Sequence, residues 1–316
     1  MQLYQNRGFN EFFQDTFTFI KENGKHYFKS YFIINGILLI ILAVLTYYLT
    51  QFYTNTVYRG ILGGTNPTDV LDTYINENFG LFIVLLIAII CVALIFGIVS
   101  YAYTPIYFKL YEKYNGKNFE THDILNAYKK YSLKLLSFLV FGFLLAFPLL
   151  LIFGIGMFIL AITIIGILGI PLLVGLFAGL YNMTLLEYLD NKRTFWDSFG
   201  YAWSLITSKF WHAVGCMGIF YIITYIVQLG LSIFQSIFNT ANILTGIENT
   251  NASVDEQNIS MTIFLIFMFI VTFLVGIIMS NINQVNQSII YFGLKEGKEN
   301  INTKSEIDLI GDNSEI

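Results

Sequence analysis

The chain has 316 residues, of which 56% are hydrophobic and only 12% charged, and its mean hydropathy is +0.65. Soluble domains carry about a quarter charged residues, so a water-soluble globule is excluded. A folded catalytic or nucleotide-binding domain outside the membrane is excluded with it, because the polar segments left over are too short to fold unaided. The formal net charge of −4 says little, since its meaning depends on which side of a membrane each charge lies.

Residues 9–25 read as an amphipathic surface helix, with Phe9, Phe12, Phe13, Phe17 and Ile20 at three- and four-residue spacing and Asn23-Gly24 as its stop. The first crossing follows at 31–52, with aromatic residues at both rims. Gly63-Gly64 and Asn66-Pro67 mark a turn, and the second crossing spans 81–108. A lysine-rich loop leads to a second surface helix at 121–134.

Residues 135–186 contain no Asp, Glu, Lys or Arg. A single helix of that length would be about 78 Å long at roughly 1.5 Å per residue, against a hydrocarbon core of about 30 Å. The run therefore crosses twice, at 135–154 and 167–187, turning somewhere between Gly154-Ile155-Gly156 and Gly166–Pro171. A third surface helix is expected at 194–208, opened by the capping-box form of Thr194 and Asp197 and carrying the stripe Phe195, Phe199, Trp203, Ile206 and Phe210. Crossings at 210–230 and 261–280 complete the set, and 295–316 is an acidic tail without apolar periodicity. The expected fold is an all-α polytopic membrane protein, a single membrane domain over 1–294. Six transmembrane helices form three hairpins, each preceded by a cytoplasmic amphipathic interfacial helix.

In that threading, sixteen of the seventeen Lys and Arg residues fall on one face, leaving Arg59 opposite. The positive-inside rule then places both termini in the cytoplasm and the protein in a cell inner membrane. The basic residues beside aromatic stripes suit membrane lipids with anionic headgroups. They are spread along the rim without a nucleic-acid-binding module, so nucleic acid is not expected as a partner.

No catalytic, cofactor-binding or metal residues are expected. His26, His122 and His212 fall at the rim, Cys91 and Cys216 are isolated in apolar segments, and no nucleophile or phosphate-loop motif occurs. Asp197 with His212 is the low-ranking arrangement for a membrane enzyme. The apolar stretches of the crossings carry no formal charge, which argues against ion-coupled transport. The polar exception is the run 280–288, where Ser280, Asn283, Gln284 and Gln287 suggest a face for a lipid headgroup or polar substrate, or alternatively amides that join neighbouring helices. Gly175 and Gly179 form a GxxxG helix-packing motif.

An amphipathic segment leading into a hairpin, as in Phe195–Val227 with Ala202-Trp203-Ser204-Leu205 and Lys209-Phe210-Trp211, resembles a loose group of bacterial membrane proteins. The group is related to the membrane domain of some glycerophosphodiester phosphodiesterases, whose catalytic domain has no room here. The resemblance implies a membrane fold and no activity. The expectation is a non-enzymatic inner-membrane protein that organises lipid, a protein partner or a second copy of itself. The alternative is a transporter or lipid-handling protein.

Overall fold

The structure is a computed structural model that describes residues 1–62, 67–167, 169–248 and 254–302. The described residues form helices and no strand: α1 (Phe9–Leu62), α2 (Pro67–Lys113), α3 (Thr121–Ala161), α4 (Ile164–Ile167), α5 (Ile170–Leu189), α6 (Phe195–Ser208), α7 (Phe210–Glu248) and α8 (Val254–Glu299). Six of them, α1, α2, α3, α5, α7 and α8, are long and apolar enough to cross a membrane. The chain is thus an all-helical protein of multi-pass membrane type. The turn at Gly63-Gly64 and the tail 303–316 lie outside the described residues.

Two expected breaks are absent. The chain runs through Asn23-Gly24 as part of α1, so the segment 9–25 and the first crossing are one helix. Asn23 does not cap; its amide donates to the carbonyl of Phe19 one turn back, at 3.3 Å. The segment 121–134 is likewise continuous with α3, which also runs through Gly154 and Gly156 to Ala161. The reversal lies between α3 and α5, where Thr163 Oγ1 accepts from the N–H of Gly166 at 3.0 Å and Pro171 stands in the first turn of α5. Away from water a backbone N–H has no partner better than its own helix, so glycine alone does not end one.

The chain divides into two compact units, Met1–Ile34 with Ser100–Thr224 and Met279–Ile316, and Asn35–Val99 with Tyr225–Ile278. The second presents large apolar side chains outward, Ile37, Ile40, Val84, Ile87, Phe234 and Phe267 among them. It holds together through ring contacts such as Phe96–Phe273 at 5.7 Å and Phe238–Phe264.

In the first unit the outer part of α3 exposes Phe143, Phe147, Ile152, Ile155 and Phe158, while the centre is polar. Contacts between helix pairs run in opposite senses. Tyr27 and Tyr31 of α1 bond Thr104 and Ser100 of α2. On α3 and α5, Lys134 meets Tyr188, Gly142 meets Tyr181 and Phe153 meets Phe177. α5 and α7 approach closely: a Cβ added to Gly175 would stand 3.1 Å from the backbone nitrogen of Gly218.

Helix α6 is opened as its sequence requires, the N–H of Asp197 donating to Thr194 Oγ1 at 3.3 Å. Its buried face is Phe195, Ser198, Ala202, Leu205 and Ile206. Trp203, placed on the apolar stripe by spacing, is on the outside with Trp196, and Trp211 is exposed just beyond.

Candidate functional site: a polar post and a buried ion-pair lattice

The C-terminal half of α8 is the post of the first unit. Asn281 and residues 283–294 are all buried, although six of the first seven are polar. Helix geometry sends these side chains in several directions, and α1, α5 and α7 between them receive the polar ones. Tyr27 on α1 donates to Asn281 Oδ1 at 2.7 Å. The Asn286 amide donates to Thr16 on α1 at 2.9 Å and to Cys216 Sγ on α7 at 3.3 Å. The amides of Asn283 and Gln287 donate to Thr224 and Tyr221, both on α7, at 3.1 and 3.4 Å. Asn182 on α5 donates to Ser288 Oγ at 3.2 Å and to the Gln284 carbonyl at 3.3 Å.

The four residues suggested for a polar binding face therefore do not share one surface. Ser280 is exposed, whereas Asn283, Gln284 and Gln287 are buried between helices. Among the described residues, Asn182 Oδ1, Gln284 Oε1 and Asn286 Oδ1 are buried oxygens without a hydrogen-bond donor.

Two turns beyond Ser288 along α8 the polar groups become charged. Lys295 is 2% exposed and Glu187 is wholly buried. The ammonium of Lys295 uses all three N–H groups: on Glu187 Oε2 at 2.8 Å, Asp190 Oδ2 at 3.0 Å and the Tyr291 hydroxyl at 2.8 Å. Tyr291 in turn donates to Glu187 Oε2 at 2.6 Å. Arg193 takes the other Glu187 oxygen, and Lys109 takes Asp190 Oδ1. Lys109 also pairs with Glu112 at 3.2 Å, and Tyr4 donates to Glu112 at 2.6 Å. The cations Lys109, Arg193 and Lys295 thus face the carboxylates Glu112, Glu187 and Asp190.

Local sequence builds this lattice. Glu187 and Asp190 are three apart at the end of α5, and Tyr291 and Lys295 four apart on α8, so each pair shares a helix face. Asn191 turns the chain with a φ of 62°, a left-handed conformation that asparagine tolerates. That turn brings Arg193 back onto Glu187. Burial alone would raise the Asp190 carboxyl, but the ammonium of Lys109, and then that of Lys295, hold it below its ordinary value. It is therefore ionised at neutral pH. Burial, reinforced by Glu112, pushes the Tyr4 hydroxyl up, so it stays a donor.

Arg7, one of the sixteen basic residues that the sequence places on one face, is 1% exposed. It bonds Asp15 at 2.6 Å and the carbonyls of Leu3 and Gln2, each at 2.6 Å. Sequence reasoning missed the whole lattice, because its bonded partners lie up to 108 residues apart. The available signal was Glu187 itself, the first charge after the uncharged run and still in step with the buried face of α5.

His26 and His122 line one surface cavity of about 640 Å³, together with Lys29, Lys117, Glu120 and Asp123. His26 is fixed by the Tyr107 hydroxyl at 2.8 Å and the Phe119 carbonyl at 2.9 Å. A carbonyl only accepts, so Nε2 carries a proton, and the Tyr107 hydroxyl takes up Nδ1. Asp197 is engaged by its own helix cap, and no hydrogen bond joins it to His212. Among the described residues no cluster of three metal-binding side chains forms, and Cys91 and Cys216 are unpaired thiols.

Comparison of the chain with protein families, curated proteins and solved structures returns no match.

Proposed function

We propose that this chain is a non-catalytic, multi-pass protein of a bacterial inner membrane that organises lipid, or a partner protein, at the cytoplasmic leaflet. The observation that carries the reading is where the reactive groups are. The buried carboxylates and ammonium groups of the first unit bond one another, which leaves the outward surface as the working part. That surface is apolar along α3 and carries Trp196, Trp203 and Trp211, all the tryptophans of the sequence, on or just after α6. Tryptophan favours the headgroup level of a bilayer, so α6 lies in the interface. The opposed contacts of α1 with α2, α3 with α5 and α7 with α8 support threading as three hairpins with both termini in the cytoplasm. The sixteen-to-one distribution of basic residues gives the direction.

Uncoupled transport is the second reading, favoured by the buried, unpartnered oxygens of Asn182, Gln284 and Asn286.

Extraction of the protein with its native lipid shell, followed by mass spectrometry of everything retained, separates the two. An organiser is expected to keep a lipid class enriched over the bulk membrane, or one reproducible protein. A shell of bulk composition with no partner, together with solute uptake by reconstituted vesicles, would replace this reading with transport.

A further inference from the structure

The cavity beside His26 has an unusual wall. It lies between α1 and the segment joining α2 to α3, and its volume of about 640 Å³ is in the range of small-molecule sites. Two ammonium groups, Lys29 and Lys117, and two carboxylates, Glu120 and Asp123, line it. Ile33, 55% exposed, closes one side and belongs to the outward apolar surface of α1.

The frame is fixed while the charged groups keep spare capacity. His26 is held at both ring nitrogens, and Thr121 Oγ1 donates to Ser30 at 3.2 Å, joining the start of α3 to α1. Lys117 donates to the Glu22 carbonyl at 3.3 Å, which leaves two of its three N–H groups. Asp123 Oδ2 accepts from the N–H of Glu120 at 2.9 Å, leaving Oδ1. Lys29, Lys117 and Glu120 are exposed.

We propose that this cavity binds a zwitterionic headgroup carrying a phosphate and a primary ammonium, presented by a phospholipid whose acyl chains run along the apolar surface at Ile33. The phosphate pairs with Lys29 and Lys117, and the ammonium with Glu120 and Asp123. A headgroup with phosphate alone brings its negative charge against two carboxylates with nothing to offset them. A quaternary ammonium has no N–H to donate to them. The inference rests on the lipid reading above and specifies which lipid and where.

The test is native mass spectrometry of the full chain in detergent. Pure dioleoyl phosphatidylethanolamine, phosphatidylcholine and phosphatidylglycerol are offered in turn, with free phosphoethanolamine as competitor. The expected result is one retained phosphatidylethanolamine, favoured about tenfold over the other two. The double change Lys29→Glu with Lys117→Glu is expected to remove that preference, and Lys192→Glu, outside the cavity, to keep it. Should the double variant lose its helical circular dichroism, Lys29→Gln alone is expected to weaken retention severalfold. Equal retention of all three lipids, preference for phosphatidylglycerol, or a preference that survives the double change would overturn the site. Displacement by equimolar free phosphoethanolamine would overturn the membrane source of the ligand. Absence of any lipid preference in the unaltered chain, alongside an enriched native lipid shell, would sink this cavity and leave the proposed function standing.

Discussion

Lys295→Met is expected to lower the stability of the folded protein by about 3–5 kcal/mol, the usual result of removing one partner of a buried ion pair. The reason lies in what remains. Glu187 is wholly buried and loses the ammonium on Oε2, keeping only Arg193 and the Tyr291 hydroxyl. Asp190 loses its bond to the same nitrogen and keeps Lys109. Two carboxylates held out of water by three cations are then held by two. Adding Glu187→Gln is expected to restore part of the loss, because the uncompensated charge goes with its oxygen. The double variant should therefore cost less than the sum of the two single changes. Thermal unfolding can be followed through the buried Cys216 thiol in a Cys91→Ser background, since Cys91 is exposed. The single variant is expected to melt roughly 10 °C lower on the scaling of soluble domains. Lys298→Met is the control, because Lys298 is exposed and reaches only Ser204 and the Tyr201 ring. A change of less than about 1 kcal/mol for Lys295→Met, within the range of surface pairs, would show that the lattice does not hold the helices together.

Gly175→Val is expected to destabilise by about 1–3 kcal/mol or more, the range for overpacking. At this position a Cβ would stand 3.1 Å from the nitrogen of Gly218 and 3.1 Å from the carbonyl carbon of Met217, both backbone atoms. Backbone cannot rotate away, so α5 and α7 must part along their contact, and the hydrogen bonds of α8 to both are disturbed. Gly179 is different. Its added carbon would strike the sulfur of Met217, the far end of a flexible side chain that can turn aside, so Gly179→Ala is expected to cost less. Gly200 on α6 has nothing within 4 Å. Gly200→Ala is expected to stabilise by up to about 1 kcal/mol through helix propensity alone. The opposite signs at Gly175 and Gly200, read in the same thermal assay, separate close packing from a general effect of changing glycine.

The parts of this fold legible in the sequence are those governed by local composition. An uncharged run such as 135–186 declares two helices wherever it folds, and the Thr194 cap is written in four consecutive residues. Stripe assignment failed where polar residues face inward. In 9–25 the hydrophobic spacing picks out Phe17, which is exposed, while the buried line is Phe12, Thr16, Phe19 and Asn23. Thr16 and Asn23 look like surface residues until their partners are known, and Thr16 accepts from Asn286, 270 positions away. The 280–288 run was visible as an anomaly, but whether amides serve a ligand or a neighbouring helix depends on what surrounds them. Periodicity along one helix carries no information about that. The ion-pair lattice was hidden for the same reason: Lys109, Glu187 and Lys295 each sit at a helix end, where a charge ordinarily means solvent.

The proposed function requires lipid as the solvent for the outward apolar surface, with the basic flanks on the cytoplasmic side. Side-specific labelling tests this most directly. Lys192→Cys is placed in a background with Cys91→Ser and Cys216→Ala, and exposed in turn to intact and permeabilised spheroplasts with a membrane-impermeant maleimide. The expected result is a protein found only in the membrane fraction and labelled at position 192 only after permeabilisation. Labelling of intact spheroplasts at that position, or recovery of the chain in a detergent-free soluble fraction, would contradict it.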